Sequence, residues 1–191
     1  MNKESRSLST ATLVLGAVLT ALTVLLQLMG AFIKLGPFSI SLVLVPIVIG
    51  AATCGTKVST WLGLVFGVVV LLSGDAALFL AVDVPGTVAT VLLKGALCGL
   101  FAGVTYNLIS KKNKTVAVIA AAVICPVVNT GVFLIGCLLF FMETITEWAG
   151  GSNVGQYIIT VMIGFNFLFE LITNIILSPV IVRLLKIKKK I

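Results

Sequence analysis

The side chains of this sequence able to do chemistry are few, and four of them, Lys94, Asn129, Asn166 and Glu170, stand inside long apolar runs. An ionisable group at the centre of a hydrocarbon layer costs about 2.5–3.5 kcal/mol, so such groups pair with one another or line a cavity. Asn166, Glu170 and Asn174 follow one another at i, i+4, i+8, which puts three polar groups on one face of a helix. An ammonium, a carboxylate and several amides suit recognition of a small polar solute. They do not suit covalent catalysis. The chain has no histidine, which removes the commonest general base and the commonest metal ligand. Glu143 and Glu147 are four apart, but they fall at an outer helix end, where a solvated face accounts for them. Cys54, Cys98, Cys125 and Cys137 form no C-x-x-C pair, and three of them sit in apolar runs as small hydrophobes. No catalytic residue, metal site or cofactor is expected.

The elements that carry these residues follow from composition. Of 191 residues 60% are hydrophobic and 10% charged, with a mean hydropathy of +1.26, too little polar surface for a water-soluble domain of this length. A bilayer core needs about 20 mostly apolar residues per helix. The apolar runs predict an all-α membrane protein of six segments in one transmembrane domain spanning residues 1–191: 10–30, 40–52, 59–72, 86–109, 115–141 and 156–185. Residues 116–124 are apolar at every position, which excludes the alternation of a membrane β-barrel. Lys3 and Arg6 ahead of the first run resemble a secretory signal, but the run is longer than the roughly 7–15 residues of an h-region. It is read as the first helix.

Six crossings put Lys3, Arg6, Lys57, Lys111, Lys112, Lys114, Arg183, Lys186, Lys188, Lys189 and Lys190 on one side, eleven of the thirteen basic residues. Asp75, Asp83, Glu143 and Glu147 fall on the other with Lys34. The positive-inside rule then places both termini in the cytoplasm, in the plasma membrane. A re-entrant pair at 40–72 would move Lys57 to the far side. The net charge of +7 reads as orientation and lipid contact, because no aromatic platform or recognition motif for nucleic acid lies between the basic residues. The stretch 50–57 looks like a phosphate loop, yet its lysine comes one residue late, its hydroxyl precedes the lysine and no strand leads in. Any ATP-driven activity must borrow its ATPase from another chain.

Counted from the outer helix ends, Lys94, Asn129 and Asn166 lie roughly 12, 18 and 15 Å deep, in one outer-half layer. Two accounts remain open. One is a structural Lys94–Glu170 ion pair with the asparagines joining two helices; the other is a pocket open to the outside. Pro126 favours the second, since it can free a backbone carbonyl near Asn129. Lys34, Phe38, Asp75, Asp83, Trp148 and Tyr157 in the outer connections could close over a ligand. Small residues at i, i+4 recur at Ala17/Ala21, Gly63/Gly67 and Gly95/Gly99/Gly103. The glycine sets suit internal packing, and the alanine pair could face a partner.

With these residues in place, the chain resembles the substrate-binding S components of energy-coupling factor (ECF) vitamin transporters, in the group that includes riboflavin and pantothenate binders. The likeness rests on the six segments with a basic inner side, residues 17–21, the 46–55 stretch before a Gly-rich third segment, Leu92-Leu93-Lys94-Gly95, Pro126-Val127-Val128-Asn129 and Asn166. It implies a high-affinity vitamin-binding subunit, not an enzyme. It also implies docking through Ala17 and Ala21 onto a transmembrane coupling subunit driven by two cytoplasmic ATPases, with toppling of the subunit to deliver the vitamin. Substrate contacts are then expected from Lys94, Asn129, Asn166, Glu170, Lys34 and Asp83. Riboflavin binders of the family have a lysine three residues after the asparagine of the last helix; here Phe169 stands there, followed by Glu170. That difference tilts the expectation toward pantothenate, with Lys94 on its carboxylate. A self-sufficient secondary transporter or channel is the alternative.

Overall fold

In the computed structural model the described residues are 9–30, 34–35, 38–39 and 42–188. Helix α1 (Thr10–Gly30) begins where Ser9 Oγ accepts from the Thr12 amide at 3.2 Å, a hydroxyl N-cap. A two-residue antiparallel ladder, β1 (Lys34–Leu35) with β2 (Phe38–Ser39), follows, pairing Lys34 with Ser39. Helices α2 (Leu44–Thr53) and α3 (Thr56–Leu72) are separated by Cys54 and Gly55, and Gly55 at φ 91° makes the turn that a side chain would resist. The short α4 (Ala77–Leu80) leads into α5 (Val84–Ser110), which opens with Pro85 in its first turn. Helix α6 (Lys114–Phe140) is capped by Asn113, whose side chain accepts from the Thr115 and Val116 amides at 2.9 and 3.1 Å. Then come α7 (Met142–Trp148), α8 (Val154–Tyr157), a π-helical stretch at Ile158–Gly164 and α9 (Phe165–Lys188).

Among the described residues four helical stretches are long and apolar enough to cross a membrane: Thr10–Gly30, Val84–Ser110, Lys114–Phe140 and Val154–Arg183. Helices α2 and α3 are shorter. With 10 residues, α2 rises only about 15 Å. Its environment explains why a short helix suffices: it packs against α1, α3, α5, α6 and α9, and Leu44, Ile47 and Val48 have no exposed surface. Its body and its start therefore meet protein, where a helix shorter than the bilayer is tolerated.

The glycine spacing is explained by the crossing of α3 over α5. A Cβ on Gly63 would strike the Gly95 carbonyl, one on Gly95 the Gly63 carbonyl, and one on Gly99 the Ser59 carbonyl. The two backbones touch, and Ser59 Oγ donates across to the Gly99 carbonyl at 2.8 Å. In lipid this close approach supplies the dispersion contacts that apolar burial cannot. The alanine pair behaves differently. Ala17 and Ala21 are exposed, while α1 turns Gly16, Leu19, Thr23, Gln27 and Gly30 inward.

The sixth apolar run is one continuous helix in the sequence reading, but the structure divides it into α8, the π-helical stretch and α9. A π turn admits an extra residue and shifts the phase of everything after it. Asn166, Glu170 and Asn174 all follow that shift, so their common face survives it.

Charge is segregated along the bundle. Lys111 to Asn113 join α5 to α6, Thr115 and Arg183 border one groove, and Thr56 accepts from Asn107 Nδ2 at 2.9 Å, so Lys57, Lys111, Lys112, Lys114 and Arg183 gather at one end. Asp75, Asp83, Glu143 and Glu147 belong to the connections at the other.

Candidate functional site

Toward the acidic end, α1, α3, α5, α6 and the last helical run enclose a cavity. Its polar wall consists of Gln27, Asp75, Lys94, Asn129, Thr130, Asn166 and Glu170, and its apolar wall includes Val70, Phe79, Val91, Phe133, Met162 and Phe167. Lys94, Asn129, Asn166 and Glu170, four residues singled out by their polarity at membrane depth, thus face one space. Each reaches it because its helix is otherwise apolar and turns its polar side chain away from lipid.

Lys94 Nζ lies 5.3 Å from the Phe66 ring centroid and 5.5 Å from that of Phe133, so two aromatic faces stabilise the ammonium where water is scarce. Its charge also interacts with Glu170 and Asp75. Asn129 Nδ2 donates to Glu170 Oε2 at 3.4 Å, joining α6 to α9. Asn174, one turn further along α9, donates to the Glu170 carbonyl at 2.8 Å, and Ser178 Oγ donates to the Asn174 carbonyl at 2.9 Å. The stripe therefore runs from Asn166 to Ser178, buried at Glu170, Asn174 and Ser178.

Two cavity residues come from regions that the sequence treats otherwise. Asp75, expected among the outer-loop groups able to close over a ligand, stands in the turn after α3, where Gly74 adopts φ 85°, and lines the cavity itself. There it accepts a hydrogen bond from Gln27 Nε2. Gln27 went unmarked in the sequence, although its signal was present: Gly16, Thr23, Gln27 and Gly30 mark the inner face of α1 at spacings of three, four and seven.

Phe79 caps the apolar wall. Its ring meets Phe133, Phe141 and Trp148 edge-on at centroid distances of 5.6, 5.0 and 5.6 Å. Trp148 thus enters the aromatic cover, and Tyr157 packs against the same cluster.

Of the remaining expected residues, Asp83, Ala17 and Ala21 stand away from the cavity. Asp83 occupies the N-cap position of α5, where its carbonyl accepts from Thr87, and it is not among the cavity-lining residues. Lys34 and Phe38 belong to the β1–β2 ladder, and their side chains lie outside the described residues. Ala17 and Ala21 border a shallow groove between α1 and α3 with Gly16, Lys57 and Trp61, at the opposite end from the cavity. Trp61 Nε1 donates to Thr20 Oγ1 at 3.2 Å across it.

Several amide oxygens in the cavity wall are buried without a protein partner: Gln27 Oε1, Asn129 Oδ1 and Asn166 Oδ1. Each costs about 1–3 kcal/mol if left so, which a water-soluble ligand could recover. The arrangement is that of a receptor for a small polar solute. A family model described as "ECF transporter, substrate-specific component" matches residues 11–184. Comparison with curated proteins and with solved structures finds no match.

Proposed function

Because the chain belongs to the family of ECF transporter substrate-specific components, we propose that it is the high-affinity binding subunit of an ATP-driven importer, capturing a water-soluble vitamin from outside the cell. Members of this family are membrane-embedded substrate-binding components and not enzymes, and the four long apolar helices are those of a multi-pass plasma-membrane protein. The family also implies a small-molecule substrate and association with other ECF components.

The observation that carries the reading is the convergence of Lys94, Asn129, Asn166 and Glu170 on one cavity whose wall retains unpartnered amide oxygens. In this reading α2 and α3 complete a bundle of six crossings in one transmembrane domain, and the basic end faces the cytoplasm. The cavity then opens outward, near the acidic connections. The exposed Ala17 and Ala21 support docking of α1 on a transmembrane coupling subunit, since small side chains let a partner helix approach closely. Two cytoplasmic ATPases would drive that subunit. Considered alone, Lys94 favours pantothenate, through its carboxylate, over riboflavin. The test is mass spectrometry of the small molecule that co-purifies with the chain, followed by calorimetric titration of the ligand-stripped protein. A vitamin bound at nanomolar concentration is expected; a chain that carries and binds no small molecule sinks the reading.

The rival, a self-sufficient secondary transporter or channel, draws on the polar stripe that continues from Glu170 through Asn174 to Ser178. Uptake that persists in vesicles lacking any ATPase would favour it.

A further inference from the structure

At the basic end of the bundle, away from the cavity, α6 and α9 leave a groove between them. Its walls are apolar at Ile119, Ile175, Pro179 and Val180, and its mouth carries Thr115 and Arg183. Pro179 accounts for the opening. Its ring supplies no N–H to the Ile175 carbonyl one turn earlier, and a proline inside a helix kinks it there. Ile175 and Pro179, the two ends of that missing bond, both line the groove. Arg183 follows Ile175 by eight residues, so the groove runs about 12 Å along α9. That is most of the roughly 15 Å depth of one leaflet's hydrocarbon. Ile119, Ile175 and Val180 are exposed along it. In a bilayer such a surface is covered by acyl chains.

The mouth adds a charge that hydrocarbon alone does not use. Thr115 is the second residue of the 27-residue α6, at the positive pole of that helix. Asn113 already occupies the Thr115 and Val116 amides, so an anion at the mouth is left to the Thr115 hydroxyl and the Arg183 guanidinium. A guanidinium offers a planar fork of donors that matches phosphate. Lys111, Lys112 and Lys114 stand at the same end, and among the described residues the acidic groups Asp75, Asp83, Glu143 and Glu147 belong to the other end and Glu170 to the cavity. Residues 1–8 and the side chains from Lys186 onward lie outside the described residues; of their charged members Lys3, Glu4, Arg6, Lys186, Lys188, Lys189 and Lys190, all but Glu4 are basic. Basic pockets between membrane helices on the cytoplasmic side suit anionic headgroups.

We propose that the α6–α9 groove is a binding site for an anionic phospholipid of the leaflet at the basic end, with the phosphate between Arg183 and Thr115 and an acyl chain along Ile119, Ile175 and Val180. The groove shares no lining residue with the cavity or with the α1–α3 groove that holds Ala17 and Ala21. It therefore does not depend on which solute the cavity takes, and a partner docked on α1 leaves it to lipid.

The experiment titrates the purified full chain, stripped of lipid in a neutral detergent, with phosphatidylglycerol, phosphatidylcholine and glycerol phosphate, counting bound molecules by native mass spectrometry. Phosphatidylglycerol is expected to bind at least about tenfold more tightly than phosphatidylcholine, and Arg183→Gln should remove that preference. Lys112→Gln takes the same charge from a position outside the groove and should cost about fivefold at most. Ile175→Trp fills the groove without changing charge; position 175 is exposed, so the elution profile of the folded chain should be retained while phosphatidylglycerol binding falls about tenfold. Equal affinity for the two lipids overturns the proposal, and so does equal loss in Arg183→Gln and Lys112→Gln, the mark of diffuse surface attraction. Phosphatidylglycerol binding unchanged in Ile175→Trp also overturns it, leaving the groove to a protein helix, and displacement of the lipid by glycerol phosphate overturns it in favour of a free anion.

Discussion

Gln27, near the end of α1, donates its amide nitrogen to Asp75, in the turn that follows α3, across 48 positions of sequence. The bond joins the inner face of α1 to the cavity, while the outer face of the same helix presents Ala17 and Ala21. One helix thus meets the candidate ligand site on one side and the candidate partner surface on the other.

The cavity assignment is tested at its asparagines. Asn129→Ala and Asn166→Ala should each weaken vitamin binding in detergent by about tenfold or more, because each removes a buried acceptor from the wall. Unchanged affinity by calorimetry would reject the assignment.

Docking through α1 is tested by Ala17→Trp. Position 17 is exposed on the groove that Trp61 borders, at the opposite end from the cavity, so the folded protein should bind its vitamin normally. Uptake in cells should fall to background. Loss of binding together with uptake would count against the docking role.

The α3–α5 contact is tested for stability. Gly95→Ala aims a methyl at the Gly63 carbonyl and should lower the thermal midpoint in detergent, at a cost of about 1–3 kcal/mol. Gly131→Ala, where a Cβ meets open space, is the control and should leave the midpoint nearly unchanged. Equal behaviour of the two would refute the backbone-contact account.

The buried charges are tested by a double-mutant cycle. Lys94→Met removes the ammonium that faces the cavity carboxylates and should destabilise the chain by about 3–5 kcal/mol. Adding Glu170→Gln should restore part of that loss, since the two charges interact. Simple additivity would show that Lys94 is held by its aromatic neighbours alone.

The sequence by itself determined the all-helical membrane character, because apolar runs of this length have one stable form in lipid, with every backbone group bonded within its own helix. It also determined the Asn166–Glu170–Asn174 face, because i, i+4 geometry is local. The Gly63/Gly67 and Gly95/Gly99/Gly103 spacing marked faces suited to close packing, but which helices cross is a matter of tertiary packing. Only the tertiary structure decided that Gln27 and Asp75 join Lys94 and Asn129 at one cavity while Asp83 stays at a helix end. The physical reason is that a polar residue near a helix end looks alike in sequence whether it faces water or folds inward. Its direction is set by helix rotation and by the turn at Gly74, and both depend on contacts between segments far apart in the chain.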